Sequence, residues 1–164
     1  MQPDSPSPNL PSTRDRIDRE ILATLQDDAR ISNKELARKV NLAPSSCLAR
    51  VTRLIEQGWI TGFHAAIDPE MLGLRIQAVV FVQLVSPGGP RFEAVRRDLM
   101  ATPEVVSLFR VGGAQDLLVH VVARDTEHLR RVVLEGIANR PEVRHMETNI
   151  VFEHHRGRVP VDLP

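Results

Sequence analysis

Ser46, Arg50 and Arg53 are spaced four and three residues apart, which sets all three on one face of a helix. Guanidinium groups donate fork-like hydrogen bonds to phosphates or to guanine edges. Small hydroxyls such as those of Ser45 and Ser46 suit the start of a helix that meets base edges. That is the chemistry of recognising double-stranded DNA, not of making bonds. A second group lies in Gly112-Gly113-Ala114-Gln115-Asp116. Gly113 lets backbone approach a ligand closely or take a positive φ. The Asp116 carboxylate suits an ammonium group, and free loop N–H groups suit a carboxylate. By spacing alone, Gly112-Gly113 also make a plain turn with Asp116 as its cap, so both readings stand at this point.

Other reactive side chains point to structure rather than catalysis. His154 and His155 are adjacent, and neighbouring residues of a strand face opposite ways. Cys47 lies near the buried side of its helix, and His120 sits within a strand as a core or interface residue. No Cys or His cluster has zinc spacing, and the chain has no P-loop, no GxGxxG and no nucleophile motif. No catalytic residue, metal or cofactor is expected.

The arginines need a helix-turn-helix to position them. Ser32 and Glu35 have capping-box spacing, with Ile31 and Leu36 as a hydrophobic staple. Leu36, Ala37 and Val40 make an apolar stripe, Asn41 and Leu42 the turn, and Pro44 suits the first turn of the next helix. There Leu48, Val51, Leu54 and Ile55 form the buried face, Ser46, Arg50 and Arg53 the opposite one, and Gly58 closes the helix. So small a stripe needs a third helix, which Ile17, Ile21, Leu22 and Leu25 supply within Arg14 to Gln26. Trp59 to Ile67 follows as an extended segment, where winged variants place a strand.

Residues 1–13, with prolines among serines, read as a flexible tail, 14–62 as the DNA-binding domain and 63–73 as a linker strand and hinge. Asp68-Pro69 to Gly73 has the cap, proline and closing glycine of one helical turn. Residues 74–164 change period. Ile76, Ala78, Val80, Val82 and Leu84 alternate as one strand face, and Val79 and Phe81 make the other apolar as well. A loop at Ser86 to Pro90 precedes a helical stripe of Phe92, Val95, Leu99 and Met100. Strands at Val105–Val111 and Leu117–Ala123 follow. Asp125 caps a helix with Leu129, Val132, Val133 and Ile137 inward, and Val143–Phe152 is the last strand. Pro103-Glu104-Val105 and Pro141-Glu142-Val143 echo each other at the openings of the second and fourth strands. The order predicts a ferredoxin-like βαββαβ domain with both helices on one sheet face. Val79 and Phe81 then project on the uncovered face, an apolar surface that a second subunit would bury.

From Asp15 almost to the C-terminus the chain resembles the Lrp/AsnC (feast/famine) family of regulators. The shared pattern runs through Asp15, Asp18, Ile21-Leu22, Asp28-Ala29-Arg30-Ile31-Ser32 and Glu35-Leu36-Ala37, then Leu42, Pro44, Cys47-Leu48, Arg50-Val51, Leu54, Gly58-Trp59-Ile60 and Gly62. The resemblance implies an α+β protein: a winged helix-turn-helix joined to a ferredoxin-like (RAM-type) domain that dimerises sheet to sheet. The family assembles such dimers into tetramers or octamers. It binds a small effector, commonly an amino acid, at the loop of Gly113 and Asp116 between subunits, with Thr148 near that pocket. Ala43 stands where the family usually has serine and Ala49 where it often has a second arginine, which removes an N-cap and a DNA contact. Leu117 replaces an aromatic residue that often follows the aspartate. Sirohaem decarboxylases resemble the same architecture and make an enzyme the alternative reading. Ala43 and Ala49 leave a third, a ligand-binding module with weakened DNA binding.

Composition fits a cytoplasmic, nucleoid-associated regulator. The 164 residues hold one cysteine, too few for an intrachain disulfide framework. No apolar run is long enough to span a membrane, and the N-terminus has no signal-peptide pattern. Twenty-one basic residues balance 21 acidic ones, so DNA attraction has to come from a local patch.

Overall fold

The computed structural model describes residues 16–161 apart from Pro87 and the side chain of Pro90. The chain forms two compact units. One takes the polypeptide up to Ala66 together with the segment from Arg156, and the other is Ile67–His155. The 1–13 tail expected from the sequence lies outside the described residues.

In the first unit, α1 (Arg16–Asp27), α2 (Asn33–Lys39) and α3 (Pro44–Glu56) enclose a small core of Ile21, Leu36, Ala37, Val40, Cys47 and Leu54. The capping box opens α2: Ser32 Oγ accepts from the Glu35 amide at 3.2 Å, and Glu35 Oε2 accepts from the Ser32 amide at 3.4 Å. Asn41 turns the chain with φ 54, a left-handed conformation asparagine tolerates. Ala43, the N-cap of α3, makes no side-chain cap bond. The side chain of Asn33 instead donates to the Pro44 carbonyl at 2.9 Å and fastens the two helices at the turn.

Two expectations change here. Leu48 and Ile55 are 56% and 46% exposed, so the inward line of α3 is Cys47, Val51 and Leu54. Period 3.6 allowed either stripe, and Cys47 fills the inner place because it is small enough to bury completely. The strand expected within Trp59–Ile67 has no ladder partner among the described residues. Trp59 and Ile60 close the helical unit instead, both amides donating to the Leu54 carbonyl.

The segment from Arg156 belongs with the helices rather than with the 74–164 domain. The Gln26 side-chain amide makes a hydrogen-bonded pair with the Val159 backbone at 3.0 and 2.9 Å, and Arg158 pairs with Asp27 at 2.8 Å. This segment has no apolar period, so nothing in its pattern announced the attachment.

The second unit begins with the expected turn, a 3-10 helix at Glu70–Leu72 with Pro69 at its N-cap, the Glu70 amide donating to Asp68 Oδ1 at 2.9 Å, and Gly73 closing it at φ 78. Its sheet is four-stranded and antiparallel in the order β2 (Val105–Arg110), β3 (Leu117–Ala123), β1 (Ile76–Leu84), β4 (Val143–Val151). With α4 (Gly89–Met100) and α5 (Thr126–Val133, continued by a π turn at Leu134–Ala138), this is the βαββαβ arrangement. Ala78, Val80, Val82 and Leu84 face the helices and are buried with Val119, Val121, Leu99 and Val132. Met100, expected inward, is 46% exposed because it falls about a quarter turn off the buried line of Phe92, Val95 and Leu99. Asp125 caps α5 through Oδ1 to the His128 amide at 2.7 Å, and the wider π turn carries Ile137 into the core.

Candidate nucleic-acid interface and effector loop

Buried Cys47 and Leu54, with partly buried Val51, define the inner line of α3, and Ser45, Ala49, Thr52 and Glu56 the outermost one. Ser45, Ser46 and Thr52 are exposed. Ser46, Arg50 and Arg53 lie on the flank toward α1 rather than directly opposite the core, about a quarter turn round. Both arginines converge on one carboxylate. Arg50 Nη1 donates to Asp18 Oδ1 at 2.8 Å, and Arg53 Nη2 donates to Asp18 Oδ2 at 2.5 Å. The Asp18 side chain is only 16% exposed, Arg50 27% and Arg53 47%.

In the sequence Asp18 stands out only as part of the Lrp/AsnC pattern. The signal for its role was there: Asp18 stands three residues before fully buried Ile21, so it shares the face of α1 that packs inward. Ala49 sits in the middle of the outermost line, which leaves that line with short side chains at its N-terminal half. Beside the turn, an open groove lined by Lys34, Arg38, Leu42 and Pro44 adds two cations from α2, the helix that in such motifs crosses the phosphate backbone. Burial pushes the Cys47 thiol above its ordinary range, with Arg50 opposing, so it stays a protonated packing group.

In the second unit, Gly113 has φ 125, and a Cβ there would meet nothing within 4 Å. Glycine is needed at Gly113 for its backbone, and the space beside it is open. Asp116 is partly buried and already has a structural task. Its Oδ2 accepts from the Leu84 amide at 2.7 Å, and its own amide donates to the Val82 carbonyl at 2.9 Å. Gln83 Nε2 donates to the Ala114 carbonyl at 2.8 Å, so β1 holds the loop at two points. Thr148 is exposed on β4, opposite Val80 and on the helix side of the sheet. β1 stands between it and the loop, and two strand spacings amount to about 10 Å. One chain therefore brings Gly113 and Asp116 together but leaves Thr148 apart from them.

Val79 and Phe81 do project from the face without helices, half-buried, beside Leu118 and exposed Phe109. Gln77, Glu147 and Asn149 border them, and His120 shares the face. Burial, and secondarily His154, hold the His120 imidazole below its ordinary range. Its Nε2 lies 3.0 Å from Gln77 Oε1. Among the described residues no group of three or more His, Cys, Asp or Glu could hold a metal ion, and no helix is long and apolar enough to cross a membrane.

A helix-turn-helix unit with an arginine-bearing second helix, followed by an antiparallel βαββαβ unit, defines a two-domain DNA-binding regulator. Family models agree: residues 14–61 match winged helix-turn-helix DNA-binding domains and residues 77–160 match the Lrp/AsnC ligand binding domain. The chain is 41% identical over 159 residues to the HTH-type transcriptional regulator AldR of Mycolicibacterium smegmatis, covering 97% of this chain and 93% of that one. It is 37% identical over 141 residues to the leucine-responsive regulatory protein of Escherichia coli, covering 85% of each. A transcriptional regulator from Neisseria meningitidis, solved as a complex with L-Met, matches with a TM-score of 0.82 at 28% identity over 90% of this chain and 97% of that one. The chain belongs to the Lrp/AsnC family and is a DNA-binding transcriptional regulator, not an enzyme.

Proposed function

We propose that this regulator takes an amino acid or a closely related small metabolite at the β2–β3 loop and alters its hold on operator DNA in response. The open space at Gly113, beside a carboxylate fixed in place by Leu84, carries the reading. Backbone N–H groups of the loop receive the effector's carboxylate and Asp116 its ammonium group. Thr148 comes from a neighbouring subunit, since β1 separates it from the loop within one chain. The L-Met complex of the Neisseria relative supports an amino acid as the ligand class. Subunits dimerise through the face of Val79 and Phe81, and dimers assemble into a tetramer or octamer. Ser45, Ser46, Arg50 and Arg53 make the DNA contacts, and the protein works in the cytoplasm on the nucleoid. An effector changes DNA affinity only by favouring one arrangement of subunits over another.

Selection of bound genomic fragments with and without amino acid pools identifies operator and effector class together. Calorimetry then compares wild type with Asp116→Asn, which keeps an acceptor for the Leu84 amide and removes the charge. Effector binding is expected to weaken about tenfold or more, the effect of losing about 1.4 kcal/mol. Operator binding without effector stays as it was. Equal effector binding by the two proteins would remove Asp116 from the site.

A further inference from the structure

We infer that Asp18 is a positioning residue for DNA recognition: it holds Arg53 in its presented geometry, with Arg50 as the more covered arm of the clamp. The inference rests on the reading that this flank of α3 touches DNA. One carboxylate accepts a hydrogen bond from each guanidinium, at 2.8 Å from Arg50 and 2.5 Å from Arg53. Exposure rises through the trio, from 16% at Asp18 to 27% at Arg50 and 47% at Arg53. Arg53 is therefore the better placed of the two to reach a partner, and Arg50 contributes from a more covered position.

A free arginine on a helix surface samples many rotamers and loses them on binding, whereas a planar fork pinned at one edge is ordered beforehand. Two guanidinium groups this close also repel, and the shared carboxylate removes that repulsion. The same negative charge lowers the attraction of the patch for phosphate. Asp18 thus trades sequence-independent attraction for a fixed fork: it should favour the operator and disfavour other DNA. A residue needed only for folding would change both affinities in one direction.

The test measures Asp18→Asn on full-length protein with an operator recovered from genomic selection and with a scrambled duplex, over a range of salt. Operator affinity is expected to fall about tenfold, in line with one good base contact. Affinity for scrambled DNA is unchanged or higher, with a salt dependence steeper by about one charge. A parallel rise of both affinities makes Asp18 a mere charge brake and overturns the inference. So do two unchanged affinities, or a parallel fall with lower thermal stability. Should Asp18→Asn fail to fold, Asp18→Glu decides: it keeps the charge but shifts the carboxylate by one methylene, and must lower operator affinity while leaving scrambled-DNA affinity and its salt dependence unchanged. Arg53→Ala separates the two levels. If it binds operator like wild type, the recognition flank itself is wrong. If it loses operator while Asp18→Asn does not, only the clamp is wrong.

Discussion

The two units are held together in different ways. The second has a continuous core of β1, β3, α4 and α5 residues, its strands registered over most of their length. Among the described residues the first buries a smaller set: Ile21, Leu36, Ala37, Val40, Cys47 and Leu54. It adds single polar devices at its joints: the Ser32–Glu35 box, Asn33 on Pro44, Asp18 between two arginines, and Gln26 on Val159. A small core leaves little margin, so local hydrogen bonds decide whether the helices keep their places. The outermost line of α3, with Ser45, Ala49 and Thr52, takes part in none of these devices and stays exposed.

The largest effect should come where the second unit looks least finished. Phe81→Asp places a carboxylate on the open sheet face, and burying it unpaired costs several kcal/mol. Light scattering is expected to show dimers split, or the chain turned insoluble. A wild type that is a stable monomer at micromolar concentration would remove the premise. Next come paired core truncations. Ile21→Ala and Leu99→Ala each empty a fully buried site, for about 2–5 kcal/mol. Trp59 is the only tryptophan and there is no tyrosine, so fluorescence reports on the helical unit while circular dichroism reports on both. Ile21→Ala should shift the fluorescence transition ahead of the dichroism transition. Leu99→Ala should leave the fluorescence midpoint nearly in place. Coincident transitions in both variants would mean that the units melt as one.

Smaller effects test the joints. Arg50→Ala removes a partly buried partner of Asp18 and should cost about 1–3 kcal/mol of stability. Its DNA affinity must therefore be compared at a temperature where the variant is fully folded. Unchanged urea midpoints would show that the ion pair contributes nothing. Ser32→Ala removes the α2 cap, for about 1 kcal/mol. The Ser32 hydroxyl, then the Ser32 amide, hold the Glu35 carboxyl below its ordinary value of 4.5. A carboxyl lowered on folding stabilises the protein above its unfolded pKa, and that contribution disappears as pH falls through the folded value. Wild type should lose more stability than Ser32→Ala between pH 5 and the acid limit; parallel pH profiles would contradict the link.

Much of the fold was legible because local and global signals agreed. Ser32 with Glu35, and Asp68 with Gly73, announced their caps through fixed spacing, and Ala78, Val80 and Val82 announced a strand through period two. Where periodicity was degenerate, the choice went to packing: Leu48 and Ile55 fit the helical stripe as well as Cys47, yet lie outside. The candidate site was legible in residue type more than in placement. Arg50, Arg53 and Asp116 were found by chemistry, but their present partners Asp18 and Leu84 are distant in sequence, and spacing does not encode such pairs. The attachment of Val159 to Gln26 was invisible for the same reason, since it spans 133 positions and uses backbone groups that every residue has.

That attachment sets how the chain responds to being cut. The polypeptide leaves the helical unit after Ala66 and rejoins it at Arg156, so the second unit is an insertion with two covalent crossings. A protease that nicks the exposed stretch near Met71, 82% accessible, breaks only one of them. The segment from Arg156 then stays covalently attached to the sheet, and the helices hold it only non-covalently, through Gln26 and Asp27. A single cleavage should appear as two bands on a denaturing gel yet as one particle in solution, and a fragment ending at Ala66 would lack the partners of both residues.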